Sequence, residues 1–507
     1  MAKRNRLVLA SRLCLIIALP YPSLSYALEW NTGARLPVSL GYTDNARLVG
    51  NGQDKTSDWY TAIRPGFSVY GASPRLQLNA DYSYSYEQHH DEHSSSGGNH
   101  SLTASANSIL YENWLSLATT AGISQVRQNS QDFVGFTRRN LSDSRFWTVT
   151  PTLHHRFSGD IDLQASVATT NTNSSGSAAN NDGRSTATNV SLTSGRLLSK
   201  VLLTGSLSEN STDYKGSGTD TRDQKGSLQM SWLMSPELTP YGVWGYDKLH
   251  DDGVPDAPRQ SYWSAGLNWT PSTRTALGAS FGHRFFGNTG SFFMQQRSRS
   301  TSMRLSYSRD MTTSRADLLV PFLASTRSTL DSLYKNSIPD DAARAAFVDN
   351  YLRTNNLPEN FVALLPVQST RRFLDTSYRA DMAYSGARTS VNLGLFWRDT
   401  DSGKISLADV NASLGAAEHT RQHGYTLDWS LRLGPKGSVG AGVGTTTSRF
   451  VHTGNDSRSN YYRTGVSYTM GRHVIGSAEL RRAEQKNSQD EQERVENSAL
   501  LTLTATF

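Results

Sequence analysis

The chain has 507 residues, one cysteine, a formal charge of +6 and a mean hydropathy of −0.51. No apolar run approaches the roughly eighteen residues of a spanning helix, so a helical membrane bundle is excluded, and one cysteine excludes a disulfide framework. Four of the 50 basic residues and none of the 44 acids precede residue 28, which leaves 46 against 44, a net charge near +2 scattered along the rest. A nucleic-acid binder concentrates its cations on a patch or stripe; none is visible, and no nucleic-acid partner is expected.

Lys3, Arg4, Arg6 and Arg12 precede the apolar run Leu13 to Leu19, and Ser25-Tyr26-Ala27 supplies small residues at a cleavage site. This pattern predicts a signal peptide over 1–27, cut after Ala27. Cys14 lies inside it, so the mature chain is expected to have no thiol chemistry.

From residue 28 onward, segments of about ten alternating residues are separated by turns, the dyad of strands with one apolar and one polar wall. Leu76, Leu78, Ala80, Tyr82, Tyr84 and Tyr86 share one face, opposite Arg75, Gln77, Asn79, Asp81, Ser83 and Ser85. Val391, Leu393, Leu395 and Trp397 repeat the pattern, as do Tyr425, Leu427, Trp429, Leu431 and Leu433. Tight turns such as Gly71-Ala72-Ser73-Pro74 and Gly434-Pro435-Lys436-Gly437 alternate with longer polar loops such as 88–99 and 400–417. Strands average about five to six residues in soluble proteins, and these are nearly twice that. The expected fold is all-β: an outer-membrane barrel over 28–507 with about 22 antiparallel strands, and with its 22 Tyr and 10 Trp suited to two interfacial girdles.

His89-His90-Asp91-Glu92-His93 is the densest group of residues able to act as acids, bases or ligands. A hydrolase needs nucleophile and base within hydrogen-bond reach, and a loop holds such groups loosely; a solvated polar loop is the preferred reading. No zinc, calcium or phosphate-loop motif is present, so no cofactor and no catalytic residue is assigned. Arg297 and Arg299 share the lipid-facing parity of Met303, Leu305 and Tyr307 and are expected toward the external end; arginine there matches the phosphates of surface lipid, but two simply exposed arginines are the preferred reading.

Residues 329–361 break the period. Ser337 and Pro339 head Asp340-Asp341-Ala342-Ala343-Arg344, and Asn355-Asn356-Leu357-Pro358 supplies a stop, predicting a short helical insert that plugs the lumen, caps its mouth or stays outside. Asp375, Arg379 and Asp381 have inward parity and are candidate lumen charges. Gly440-Ala441-Gly442-Val443-Gly444 resembles a nucleotide loop, but its glycines share one strand face and are better read as making room in the lumen. Leu501, Leu503 and Phe507 end the last strand with an alternating apolar face and a terminal aromatic residue, the expected signal to the barrel-assembly machinery.

Gly41-Tyr42-Thr43-Asp44-Asn45-Ala46, Arg64-Pro65-Gly66-Phe67, Asn113-Trp114-Leu115-Ser116-Leu117 with Ile123-Ser124-Gln125, Ile338 to Arg344 with Asn356-Leu357-Pro358, and Ser385-Gly386-Ala387-Arg388-Thr389 together resemble outer-membrane proteins of the PEP-CTERM/exosortase system. The resemblance spans essentially the mature chain. It implies a Gram-negative exopolysaccharide locus, with exopolysaccharide or its export components as partners beside outer-membrane lipid and lipopolysaccharide. It brings no catalytic residue. The functional expectation is a non-enzymatic, porin-like conduit or scaffold; the alternatives are an outer-membrane hydrolase and a glycan-binding receptor.

Overall fold

Alternating side chains settle into strands because one wall can then meet lipid while the other meets water. The computed structural model describes residues 29–112, 114–127, 141–157, 160–174, 182–195, 198–215, 220–251, 259–315, 324–325, 360–361, 367–401, 419–451, 454–488 and 493–507. Within these residues, 23 strand segments make one sheet, and it closes because the first strand, Glu29–Thr43, pairs antiparallel with the last, Glu493–Thr506. Asp58–Ile63 and Gly66–Ala72 lie end to end along that first strand, so they are halves of one crossing and the barrel has 22 crossings. The break falls at Pro65, which has no N–H to give to a ladder.

Uninterrupted crossings run from 10 residues in Thr275–Arg284 to 19 in Val367–Ser385, long enough for tilted strands to cross a bilayer. Large apolar side chains stand exposed on the outer wall, among them Leu40, Leu207, Leu228, Leu395, Leu480 and Leu503. In water such a surface would aggregate; in lipid it is the solvated face. Trp30, Tyr111, Trp232, Trp269 and Tyr468 form an aromatic belt toward the short turns, while Trp59, Tyr86 and Tyr246 lie toward the other rim. The chain is an outer-membrane barrel.

The short turns gather at one rim with Phe507, whose backbone N–H donates to the Ala34 carbonyl at 2.8 Å. Most connections at the opposite rim are longer, and the shortest there is a tight hairpin. Arg284 and Gly287 are joined by only Phe285 and Phe286, and Gly287 takes φ of 105°, the left-handed region that suits glycine. This tight hairpin corrects the placement of Arg297 and Arg299. The strand Gly287–Arg297 descends from it, so both arginines sit at the short-turn rim, where Arg297 N–H donates to the Arg274 carbonyl and Ser385 N–H to that of Ser300.

The expected helical insert is mostly outside the described residues, as are residues 1–28 with the Ala27 cleavage site. Its far end is corrected: Asn360–Phe361 is a short strand, paired with Ala324–Ser325.

Candidate functional site

Inward parity turns small hydroxylated residues of neighbouring strands toward one another. Ser39 and Thr502, Ser206 and Ser227, Ser280 and Ser291, and Ser390 and Ser430 are joined by cross-strand hydroxyl hydrogen bonds of 2.6 to 2.8 Å. Ser308 and Ser377, Ser438 and Ser467, Thr148 and Thr170, and Thr193 and Thr204 repeat the arrangement at 2.8 to 3.3 Å. Each hydroxyl has donor and acceptor capacity beyond its neighbour. Ser390, Ser430 and Ser438 are buried, whereas Ser280 with Ser291 and Ser308 with Ser377 lie exposed, so uncharged hydrogen-bonding sites face the lumen along part of its circumference.

Several charges on the same wall are compensated within it. Arg35 grips Asp81 with two bonds of 2.7 and 2.8 Å. Arg463 reaches Asp428 at 2.6 Å across the intervening strand, directly over Gly442. A Cβ at Gly442 would stand 2.5 Å from Asp428 Oδ1 and 2.8 Å from Arg463 Nε, so the glycine leaves the gap in which the pair lies. The candidate lumen charges are placed likewise. Arg379 donates to Asp381 at 2.7 Å, and Asp375 accepts from Arg398 of the next strand. Three carboxylate partners were out of reach of sequence reading for want of cross-strand register.

At the loop rim the first and last strands are clamped. Thr43 Oγ1 donates to Glu496 at 2.7 Å, and Asp44 accepts from Asn497 N–H and Nδ2, both at 2.7 Å. Asn45 Nδ2 donates to the carbonyls of Val49 at 2.9 Å and Val495 at 3.0 Å. Gly41 to Ala46 is thus the phrase that fastens the seam.

The solvated-loop reading of His89 to His93 needs a partial correction. His90, Asp91 and His93 are exposed, but His89 and Glu92 are buried. Asp58 accepts the backbone N–H groups of His90, Asp91 and Glu92 at 3.2, 3.0 and 3.1 Å. With three amide donors already on its oxygens, it acts as a carboxylate toward His89 Nδ1 at 2.9 Å. The imidazole stacks on Tyr60 at 5.1 Å, and Tyr60 lies over Gly41, where a Cβ would meet its ring at 2.1 Å. His89 Nε2 has no hydrogen-bond partner. A hydrolytic His–Asp pair presents that nitrogen to a nucleophile, and this one presents it to none. The pair braces a loop. Nor, among the described residues, do three or more His, Asp or Glu gather as a metal site.

Leu501 and Leu503 project from the lipid side of the last strand, opposite Leu40 and Val38, and Phe507 is exposed at the short-turn rim. No family model and no curated protein matches this chain. Among solved structures it is similar to the siderophore receptor PirA from Pseudomonas aeruginosa, at 10% identity over 94% of this chain and 80% of that one, TM-score 0.44. It is also similar to the FrpB iron transporter from Neisseria meningitidis, at 10% identity over 94% and 81%, TM-score 0.48. A third is the outer membrane protein opdK from Pseudomonas aeruginosa, at 9% identity over 94% and 99%, TM-score 0.35.

Proposed function

We propose that this barrel is a non-enzymatic conduit for a hydroxyl-rich polymer, serving exopolysaccharide export at the outer membrane of a PEP-CTERM-type system. The observation that carries this reading is the lumen wall, where hydroxyl pairs recur on several strands, some of them exposed, and several charges are paired within it. A sugar polymer exchanges hydrogen bonds with water for hydrogen bonds with such hydroxyls at little net cost. Uncompensated charges of one sign would instead select ions. A barrel of about 22 strands has a lumen wide enough for a hydrated chain unless loops fill it. The family resemblance points to the same cargo. The hydrolase reading finds less support, because His89 is spent on Asp58 and holds no nucleophile.

Deleting the gene tests this proposal. Polysaccharide is expected to fall at the cell surface and to accumulate in the periplasm, with both restored by the intact gene. Unchanged surface polysaccharide in the deletion strain would contradict the conduit reading.

A further inference from the structure

Some cations on the lipid-facing wall are arranged unlike those of the lumen. Arg421 stands directly opposite Arg449 in the ladder of His419–Arg432 with Gly437–Phe450. Arg458 stands directly opposite Lys486 in the ladder of Asn455–Thr469 with Val474–Asn487. Arg458 also faces Thr447, two residues from Arg449 on the same face, so the four cations make one patch across four consecutive strands. All four are exposed, and Arg421 shares the parity of the outward Tyr425, Leu427 and Trp429.

Like charges directly opposite one another destabilise a sheet, their Cβ atoms being only about 5 Å apart. Local acids relieve this in part: Asp399 accepts from Arg421 at 2.9 Å, and Asp456 approaches Arg449 at 3.7 Å. Arg458 and Lys486 form no ion pair among the described residues: Glu484 holds Arg482, and Glu493, directly opposite Lys486 on its other side, accepts from Asn51 instead. The patch lies at the loop-rim ends of its strands. Arg458 precedes the outward Tyr462 by four residues, about 13 Å along the strand. That height, above the apolar band, is where head groups meet the wall.

We propose that this patch binds the phosphate groups of an outer-leaflet lipid. A bis-phosphorylated glycolipid head supplies anions that convert two repulsive cross-strand pairs into charge-assisted hydrogen bonds, with the arginines able to bind bidentately. The four strands thereby present a fixed lipid site at the face of the barrel, on the opposite side of the wall from the polymer path.

The test is native mass spectrometry of the full-length barrel released from detergent in the presence of bis-phosphorylated lipid A, dephosphorylated lipid A or inorganic phosphate. The wild type is expected to retain one bis-phosphorylated lipid A, and Arg458→Gln with Lys486→Gln to bind it roughly tenfold more weakly. Dephosphorylated lipid A should bind poorly, and inorganic phosphate should fail to displace the lipid. Heat-dependent gel mobility reports folding of each variant, and the single Arg449→Gln exchange at an exposed position serves if the double variant misfolds. Arg297→Gln with Arg299→Gln, at the other rim, should bind as the wild type does. Undiminished binding by a folded patch variant overturns the proposal. Equal retention of dephosphorylated lipid A, or displacement by inorganic phosphate, does so as well.

Discussion

The inner wall and the outer loop rim are built from the same strands, yet they treat charge in opposite ways. Inside, Arg35, Arg463, Arg379 and Arg398 each hold a carboxylate. Outside, Arg421 faces Arg449 and Arg458 faces Lys486, pairs that the neighbouring Asp399, Asp456 and Glu493 relieve only in part. A closed wall has to neutralise its own buried charges, because leaving one unpaired costs several kcal/mol. A rim embedded in head groups can leave that task to its surroundings. The difference teaches that charge pattern, read with register, separates what the protein completes by itself from what it leaves to a partner.

Four changes to the inner side test this difference, in decreasing order of expected effect. Asp428→Ala removes the carboxylate that Arg463, 13% exposed, reaches at 2.6 Å, and is expected to lower stability by about 3 kcal/mol, read as the urea midpoint of unfolding. Gly442→Val should act in the same direction, because its side chain enters the space between Asp428 and Arg463. Asp58→Ala removes the acceptor of three amides and of His89, and is expected to cost about 2 kcal/mol. Limited proteolysis should then cut the His89–Ser96 loop faster than in the wild type. Ser206→Ala with Ser227→Ala removes one hydroxyl pair and should cost about 1 kcal/mol or less, leaving heat-dependent gel mobility unchanged.

At the outer rim the expected effect changes sign with the medium. In lipid-free detergent, Arg458→Gln relieves repulsion from Lys486 and should raise the unfolding midpoint slightly, by roughly a few tenths of a kcal/mol. In bilayers containing lipid A the same substitution should lower it. The same sign in both media would mean that the rim cations are ordinary exposed residues.

The architecture was legible because a dyad needs only local sequence: Leu501 and Leu503 declare a lipid face whatever stands beside them. Partners were not legible, because Asp58 braces His89 across 31 positions and Arg463 meets Asp428 across 35. Height along a strand is not legible in the same way, as Arg297 and Arg299 show. Parity gives the face, but height depends on which rim each connection occupies, and the tight Arg284–Gly287 hairpin has a short turn's length at the loop rim. The seam phrase Gly41 to Ala46 carries no local sign of its work, which depends on Asn497, Glu496 and Val495 at the far end of the chain.

The central claim is a lumen that welcomes neutral, hydroxylated solutes, and reconstitution in planar bilayers measures it most directly. Single channels should pass potassium and chloride with little preference, and neutral oligosaccharides added to one side should interrupt the current and appear on the other. Strong selectivity for one ion, with neutral oligosaccharides neither blocking nor crossing, would contradict the account.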